Sequence, residues 1–202
     1  VGEMVTSCMY APDGKRAVVG THKGKCLSYG MDGHKFEYLH DIQVKNSRSA
    51  KVVARKITGI DFRPNNVENM LVTVNDSRLR VYDSSGRLDC KYKGHSNQNA
   101  QIRASYSSNG RFIVSGSEQP DVYVWRADTA KTAQCGCGGS GVAKQSSYEK
   151  FSTSERHVTV ALFAPDDIRT ARAFPVEELT EAKGQIIVAA GYSGQISVYE
   201  NI

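Results

Sequence analysis

The sequence has no run of about eighteen apolar residues, which excludes a helix long enough to cross a bilayer. No basic and then apolar segment opens it, so no secretory leader is read there. No methionine opens it either. It starts Val1-Gly2-Glu3 and is read as part of something longer. A strong excess of one charge is also missing. The 26 Lys and Arg against 21 Asp and Glu leave +5, short of a nucleic-acid footprint. Cysteine is scarce: Cys8, Cys26, Cys90, Cys135 and Cys137. An odd count excludes full internal pairing. Three of the five fall in expected strands, so they are read as reduced, buried thiols of a cytoplasmic chain. What remains is ordinary: 202 residues with 40% hydrophobic and 23% charged content suit one all-β domain.

What the sequence does have is a repeat. Val114-Ser-Gly-Ser-Glu-Gln-Pro-Asp-Val-Tyr-Val-Trp125 reads as strand, tight turn and strand ending on an aromatic. Val19 to Tyr29, Val72 to Tyr82 and Ala189 to Tyr199 repeat the layout, with the aromatic one position earlier. A repeat fixes architecture before any other signal, because each unit buries its faces only against its neighbours. Within the third copy, Ile102, Ala104 and Tyr106 alternate with Arg103 and Ser105, the period of a half-buried strand. Ser107-Ser108-Asn109-Gly110 is a turn, and Phe112-Ile113-Val114 suits a strand covered on both faces.

Read in order, the chain gives four strand-rich units at about 5–40, 57–92, 101–151 and 157–200. A Gly- and Ser-rich insertion at about 129–154 carries a weak fourth strand near Tyr148 to Phe151. A second polar insertion, 168–183, has room for a short helix near Val176. The last unit lacks a fourth strand. A ring of such units must close to remove exposed edges, so four units lacking one strand predict an incomplete ring. The missing blades would come from upstream or from another chain, and the isolated piece would carry two sticky edges.

These features resemble the WD-repeat β-propellers. Gly94-His95 is the one Gly-His pair, and Asp76 is the one Asp at the inter-strand turn; Lys23, Gln119 and Ser193 hold that place elsewhere. The strand ends read Tyr29-Gly30, Tyr82-Asp83, Trp125-Arg126 and Tyr199-Glu200. The family's His–Ser–Trp–Asp network is therefore incomplete in every unit, and apolar packing should carry more of the load. The segments 55–60, 71–83 and 92–94 are similar to the C-terminal propeller half of a subfamily that includes effectors of a recycling-endosome Rab GTPase. That resemblance implies a seven-bladed all-β propeller, a scaffold binding other proteins, and a link to membrane traffic at endosomal membranes. It places the GTPase contact upstream of this chain, so no residue here inherits it.

The resemblance also implies a binding rim where b–c turns and d–a loops meet. Its outward residues are His22, Asn75, Glu118 and Tyr192, with Lys56, Gln101 and Arg156 at the strand starts. Tyr192 is either an interface anchor or packing for the next blade. A second surface is the basic stretch Lys45, Arg48, Lys51, Arg55 and Lys56, read either as a solvated loop or as a contact for anionic lipid or an acidic partner. No aromatic interleaves it, which argues against nucleic acid.

No catalytic set is visible. Residues 136–141 spell G-x-G-x-x-G, but in a low-complexity loop rather than between strand and helix. Cys135 and Cys137 offer two of the roughly four ligands that a structural zinc needs. No cofactor, metal or enzyme activity is therefore expected. The Asn75-Asp76-Ser77 sequon sits in a turn of a chain read as cytoplasmic and is set aside as a glycosylation site.

Overall fold

The computed structural model describes residues 1–44, 55–64, 66–127, 142–165 and 185–200. Among them every regular element is a strand, and the strands form four sheets. The first sheet holds β1 (Val5–Tyr10), β2 (Arg16–Thr21), β3 (Lys25–Asp32) and β4 (Lys35–Gln43), in that spatial order. The second holds β5 (Ile57–Arg63), β6 (Asn66–Val74), β7 (Arg78–Tyr82) and β8 (Leu88–Tyr92). The third holds β9 (Ser105–Tyr106), β10 (Phe112–Ser115), β11 (Asp121–Arg126) and β13 (Glu149–Ser152), and the fourth β14 (Val158–Phe163), β15 (Ile186–Gly191) and β16 (Ile196–Glu200). Each is an antiparallel meander, and consecutive sheets stack face to face through their first two strands. The chain is thus part of a β-propeller with four blades present.

Stacking follows from period two. Side chains on β6 point alternately to opposite faces. Met70, Val72 and Val74 join a core with Val18, Cys26 and Ile42 of the first blade. Leu71 points the other way, into a core with Leu79, Val81, Tyr106, Ile113 and Trp125. On β10, Ile113 faces the second blade while its neighbour Val114 faces the fourth, beside Val158, Ala161 and Ile187. A dense apolar run is what a strand needs when both its faces are covered.

Three features depart from the sequence reading. The expected alternation holds from Ile102 to Ala104 but not at Ser105, which is buried like its neighbours, and only Ser105 and Tyr106 pair with β10. The residues before them lean towards the second blade. The Ala104 amide donates to Thr73 Oγ1 at 3.0 Å, and Gln101 Nε2 donates to the carbonyls of Thr6 and Thr58 at 3.1 and 3.0 Å. The second departure lies in the insertion. A short strand β12 (Ala143–Gln145) leaves the third blade and adds to the outer edge of the second, parallel to β8. Third, Cys8 is exposed, correcting the expectation of a buried thiol; it lies on the face of the first blade that carries no neighbour. Cys26 and Cys90 are buried, and burial pushes their thiols up to about 12 and about 11. Cys135, Cys137, the Gly-rich stretch 136–141 and the expected short helix lie outside the described residues.

Among the described residues nothing covers the two outermost faces. On the fourth blade, register aligns Val160 with Ala190 and Ile196, and Leu162 with Val188 and Val198. On the first it aligns Tyr10, Ala17 and Tyr29, with Tyr38 beyond, around an apolar hollow of about 610 Å³. Tyr10, Tyr38, Val160, Leu162, Ile196 and Val198 are all exposed.

Candidate functional site: the rim of turns and inter-blade loops

Strand a ends pair with strand b ends at one edge of each blade. Val5 sits opposite Thr21, Ile57 opposite Val74 and Val158 opposite Gly191. That pairing brings each turn between the second and third strands beside the loop that enters the same blade, and side chains such as Asn75 and Glu118 reach the loop at 98–100. His22, Asn75, Glu118 and Tyr192 lie on these turns, and Lys56, Gln101 and Arg156 on the entering loops. All seven therefore lie along one edge.

They do different things there. Asn75 Nδ2 donates to the Gln98 carbonyl at 2.9 Å, and its backbone N–H donates to the Lys56 carbonyl at 3.1 Å. Glu118 Oε1 accepts from the amides of Gln98, Asn99 and Ala100 at 2.9, 2.5 and 2.8 Å. Burial alone would raise the Glu118 carboxyl, but those three donors outweigh it and hold it below its ordinary value. These two side chains fasten the loop at 96–100, and sequence alone could not tell that they turn inward. Gln101 ties the inner strands of the first two blades together. His22, Arg156 and Tyr192 remain open to solvent, Tyr192 at 73%. Among the described residues the one aromatic ring beside Tyr192 is His157, edge-on with centroids 6.3 Å apart. His157 Nδ1 in turn lies 2.5 Å from the Glu118 carbonyl oxygen. Glu155 and Ser193 hydrogen-bond to each other and lock the last turn to the last loop.

Beneath the rim lie the motif residues Asp76 and Gly94-His95, together with Arg80, which no pattern singled out. Arg80 and Asp76 form a buried pair at the second blade's turn. The Gly94-His95 pair wedges His95 against Trp125, at 5.7 Å and nearly perpendicular, and Tyr123, at 6.4 Å. Neither His95 ring nitrogen has a hydrogen-bond partner, so the network is incomplete here as the motif comparison implied. Burial pulls its pKa down to about 4. Gly94 has φ of +136°, and a Cβ there would meet the Tyr148 ring at 2.7 Å, so both backbone and space demand glycine. Of the basic stretch, only Arg55 and Lys56 are described; Lys45, Arg48 and Lys51 are not. Among the described residues no group of three His, Cys, Asp or Glu could hold a metal. No helix among them is long and apolar enough to cross a membrane.

Four stacked antiparallel blades with turns and entering loops gathered on one rim define a repeat protein of the β-propeller class. Residues 86–126, which hold the Gly94-His95 pair and Trp125, match the family described as WD domain, G-beta repeat, so the chain carries a WD repeat. It is similar to WD repeat-containing protein 44 of Xenopus laevis, 32% identical over 219 residues that cover 98% of this chain and 23% of that protein. It is also similar to an uncharacterised WD repeat-containing protein of Schizosaccharomyces pombe, 26% identical over 197 residues, 93% of this chain and 31% of that protein. The chain thus spans less than a third of either relative, and neither name denotes an enzyme.

Proposed function

We propose that this chain is a section of a WD-repeat propeller that works as a non-catalytic protein-interaction scaffold through the rim. The observation that carries this is Tyr192. A large aromatic stands 73% exposed on a turn fixed by Glu155 and Ser193, beside His157 and Arg156. Rigid amphipathic aromatics contribute disproportionately to interfaces, and a locked turn loses little entropy on binding. The partner is another protein. A role in membrane traffic, in the cytoplasm at endosomal membranes, is the finer reading, and the subfamily resemblance supports it. Any contact with a small GTPase would fall outside this chain, and the remaining blades would come from the rest of a longer polypeptide or from another chain.

The test is co-precipitation with the longer parent protein, comparing wild type with Tyr192→Ala, His22→Ala and Arg156→Ala combined. These side chains are exposed, so folding should survive, and circular dichroism checks it. Loss of a discrete set of partners supports the rim; an unchanged set in a folded variant sinks it. The alternative, an anionic lipid surface met by the basic stretch, has no support from the relatives, which are named only for their WD repeats.

A further inference from the structure

Three strands of the second blade place cations side by side. Register sets Arg80 of β7 opposite Lys91 of β8, and Lys91 opposite Lys144 of β12. Directly opposed residues share a face, so the three form a row across neighbouring strands about 4.8 Å apart. Lys93, just past the end of β8, lies close enough for its charge to act on Lys91. Like charges directly opposite one another destabilise a sheet.

Arg80 is neutralised, because its guanidinium forks onto Asp76. The three lysines are not. Among the described residues none of them forms an ion pair. Asp89, the next acid along β8, falls where the register slips between the Val81 and Tyr82 pairs, and it makes no ion pair either. Partial burial and then Arg80 pull the Lys91 ammonium below its ordinary value; the Asp76 carboxylate, already forked onto Arg80, opposes this, and Lys144 and Lys93 add to the drop. The arrangement is also not an accident of one hairpin. β12 crosses from the third blade to deliver Lys144, and it is held there by its own ladder and by the Lys93 amide donating to the Gln145 carbonyl at 3.2 Å.

With Asp76 committed to Arg80, the ammoniums gathered at this edge offer a multivalent anion more positive charge than the blade itself neutralises. Lysine is a compact point charge with three donors and binds phosphate as such; several of them gathered together favour an anion carrying more than one charge over a single carboxylate. We propose that Lys91, Lys93 and Lys144 bind a phosphoryl group, carried either by a soluble inositol phosphate or by a lipid headgroup. The site lies at the outer edge of the blade and does not rest on the rim reading.

The test uses the longer parent protein and three probes: inositol hexakisphosphate, phosphatidylcholine vesicles with and without a phosphatidylinositol phosphate, and polyglutamate. Wild type should show a rise in Tm with inositol hexakisphosphate. The variant Lys91→Gln/Lys93→Gln/Lys144→Gln should lose at least about tenfold in affinity. The same variant should melt no lower than wild type without ligand, since repulsion has been removed, and this keeps the result readable against a folding defect. Substituting arginine at the three positions should retain binding, and Lys15→Gln/Lys35→Gln, on the opposite edge, should leave it unchanged. Binding to the soluble probe alone assigns a free phosphate ligand; co-sedimentation with phosphoinositide vesicles, lost in the triple variant, assigns a headgroup. No Tm rise with either phosphate source, equal binding by the triple variant, or binding to polyglutamate alone overturns the proposal.

Discussion

The Arg80 guanidinium forks onto the Asp76 carboxylate through contacts of 3.0 and 2.5 Å, with 1% and 7% of the two side chains exposed. Asp76 sits on the turn and Arg80 on the strand that leaves it, so the pair staples the turn to β7. Removing one partner leaves an uncompensated buried charge. Asp76→Ala should therefore cost about 3–5 kcal/mol in urea unfolding, while Asp76→Leu combined with Arg80→Met should cost much less. Equal losses for the single and double changes would remove the pair as the cause.

His95 gives the fold an acid sensitivity. Its pKa falls from 6.5 to about 4 because burial disfavours the imidazolium; Asp76 and Glu118 nearby pull the other way, and Arg78 adds to the drop. With the folded value depressed, the full stability is present above pH 6.5 and drains away as pH falls towards 4. The loss should be on the order of 3 kcal/mol. Urea midpoints taken through that range for wild type and His95→Leu should converge as pH falls, since the leucine variant lacks this slope. Parallel curves would show that the ring is not buried neutral.

Much of the blade pattern was legible because period two and turn chemistry are local. Met70, Val72 and Val74 against Leu71, or Ile113 against Val114, announce two covered faces in the bare sequence. What was not legible depends on distant partners. Nothing around Ala143 to Gln145 signals a strand, since its ladder is supplied by β8 about fifty residues away. The segment before Ser105 alternates like a strand, but Thr73 and Thr58 of another blade compete for its groups. The rim positions followed from the family resemblance, yet only the structure shows Asn75 and Glu118 bonded to the neighbouring loop and Tyr192 turned outward. The lysine row escaped for the same reason, as it exists only in register.

Glu118 should behave as a loop anchor. Glu118→Ala leaves three amides at 98–100 without their acceptor, at a cost of about 1–3 kcal/mol, and speeds hydrogen exchange there while β10 stays protected. Its carboxyl is held below the ordinary value, so this anchoring is present above pH 4.5 and lost as pH falls through the lowered one. Unchanged exchange at Asn99 and Ala100 in the variant would refute the role.

Gly116 lies where the third blade meets the fourth. A Cβ there would sit 2.1 Å from the Val158 carbonyl oxygen, in the bridge that Ser117 and Val158 form through two 2.9 Å hydrogen bonds. Backbone cannot yield as a flexible side chain can, so Gly116→Ala should destabilise by about 1–3 kcal/mol. Gly2→Ala, with nothing within 4 Å of the new Cβ, is the matched neutral control. A Gly116→Ala protein as stable as that control would mean the blades can shift apart freely.

The open faces make the last prediction. Val160, Leu162, Ile196 and Val198 form two exposed apolar rows on the fourth blade, and Tyr10, Phe36 and Tyr38 stand exposed on the first. Contiguous apolar surface of this kind is what a further blade would cover, and left bare it drives association. The isolated chain should therefore associate in a concentration-dependent way, as read by sedimentation velocity. Ile196→Lys/Val198→Lys should shift it towards monomer, because two charges would have to be buried to restore the contact. Tyr192→Lys, on the rim rather than in the rows, should leave the association intact. A monomer at all concentrations, or equal loss with Tyr192→Lys, would show that the blade faces are not what the chain uses to associate.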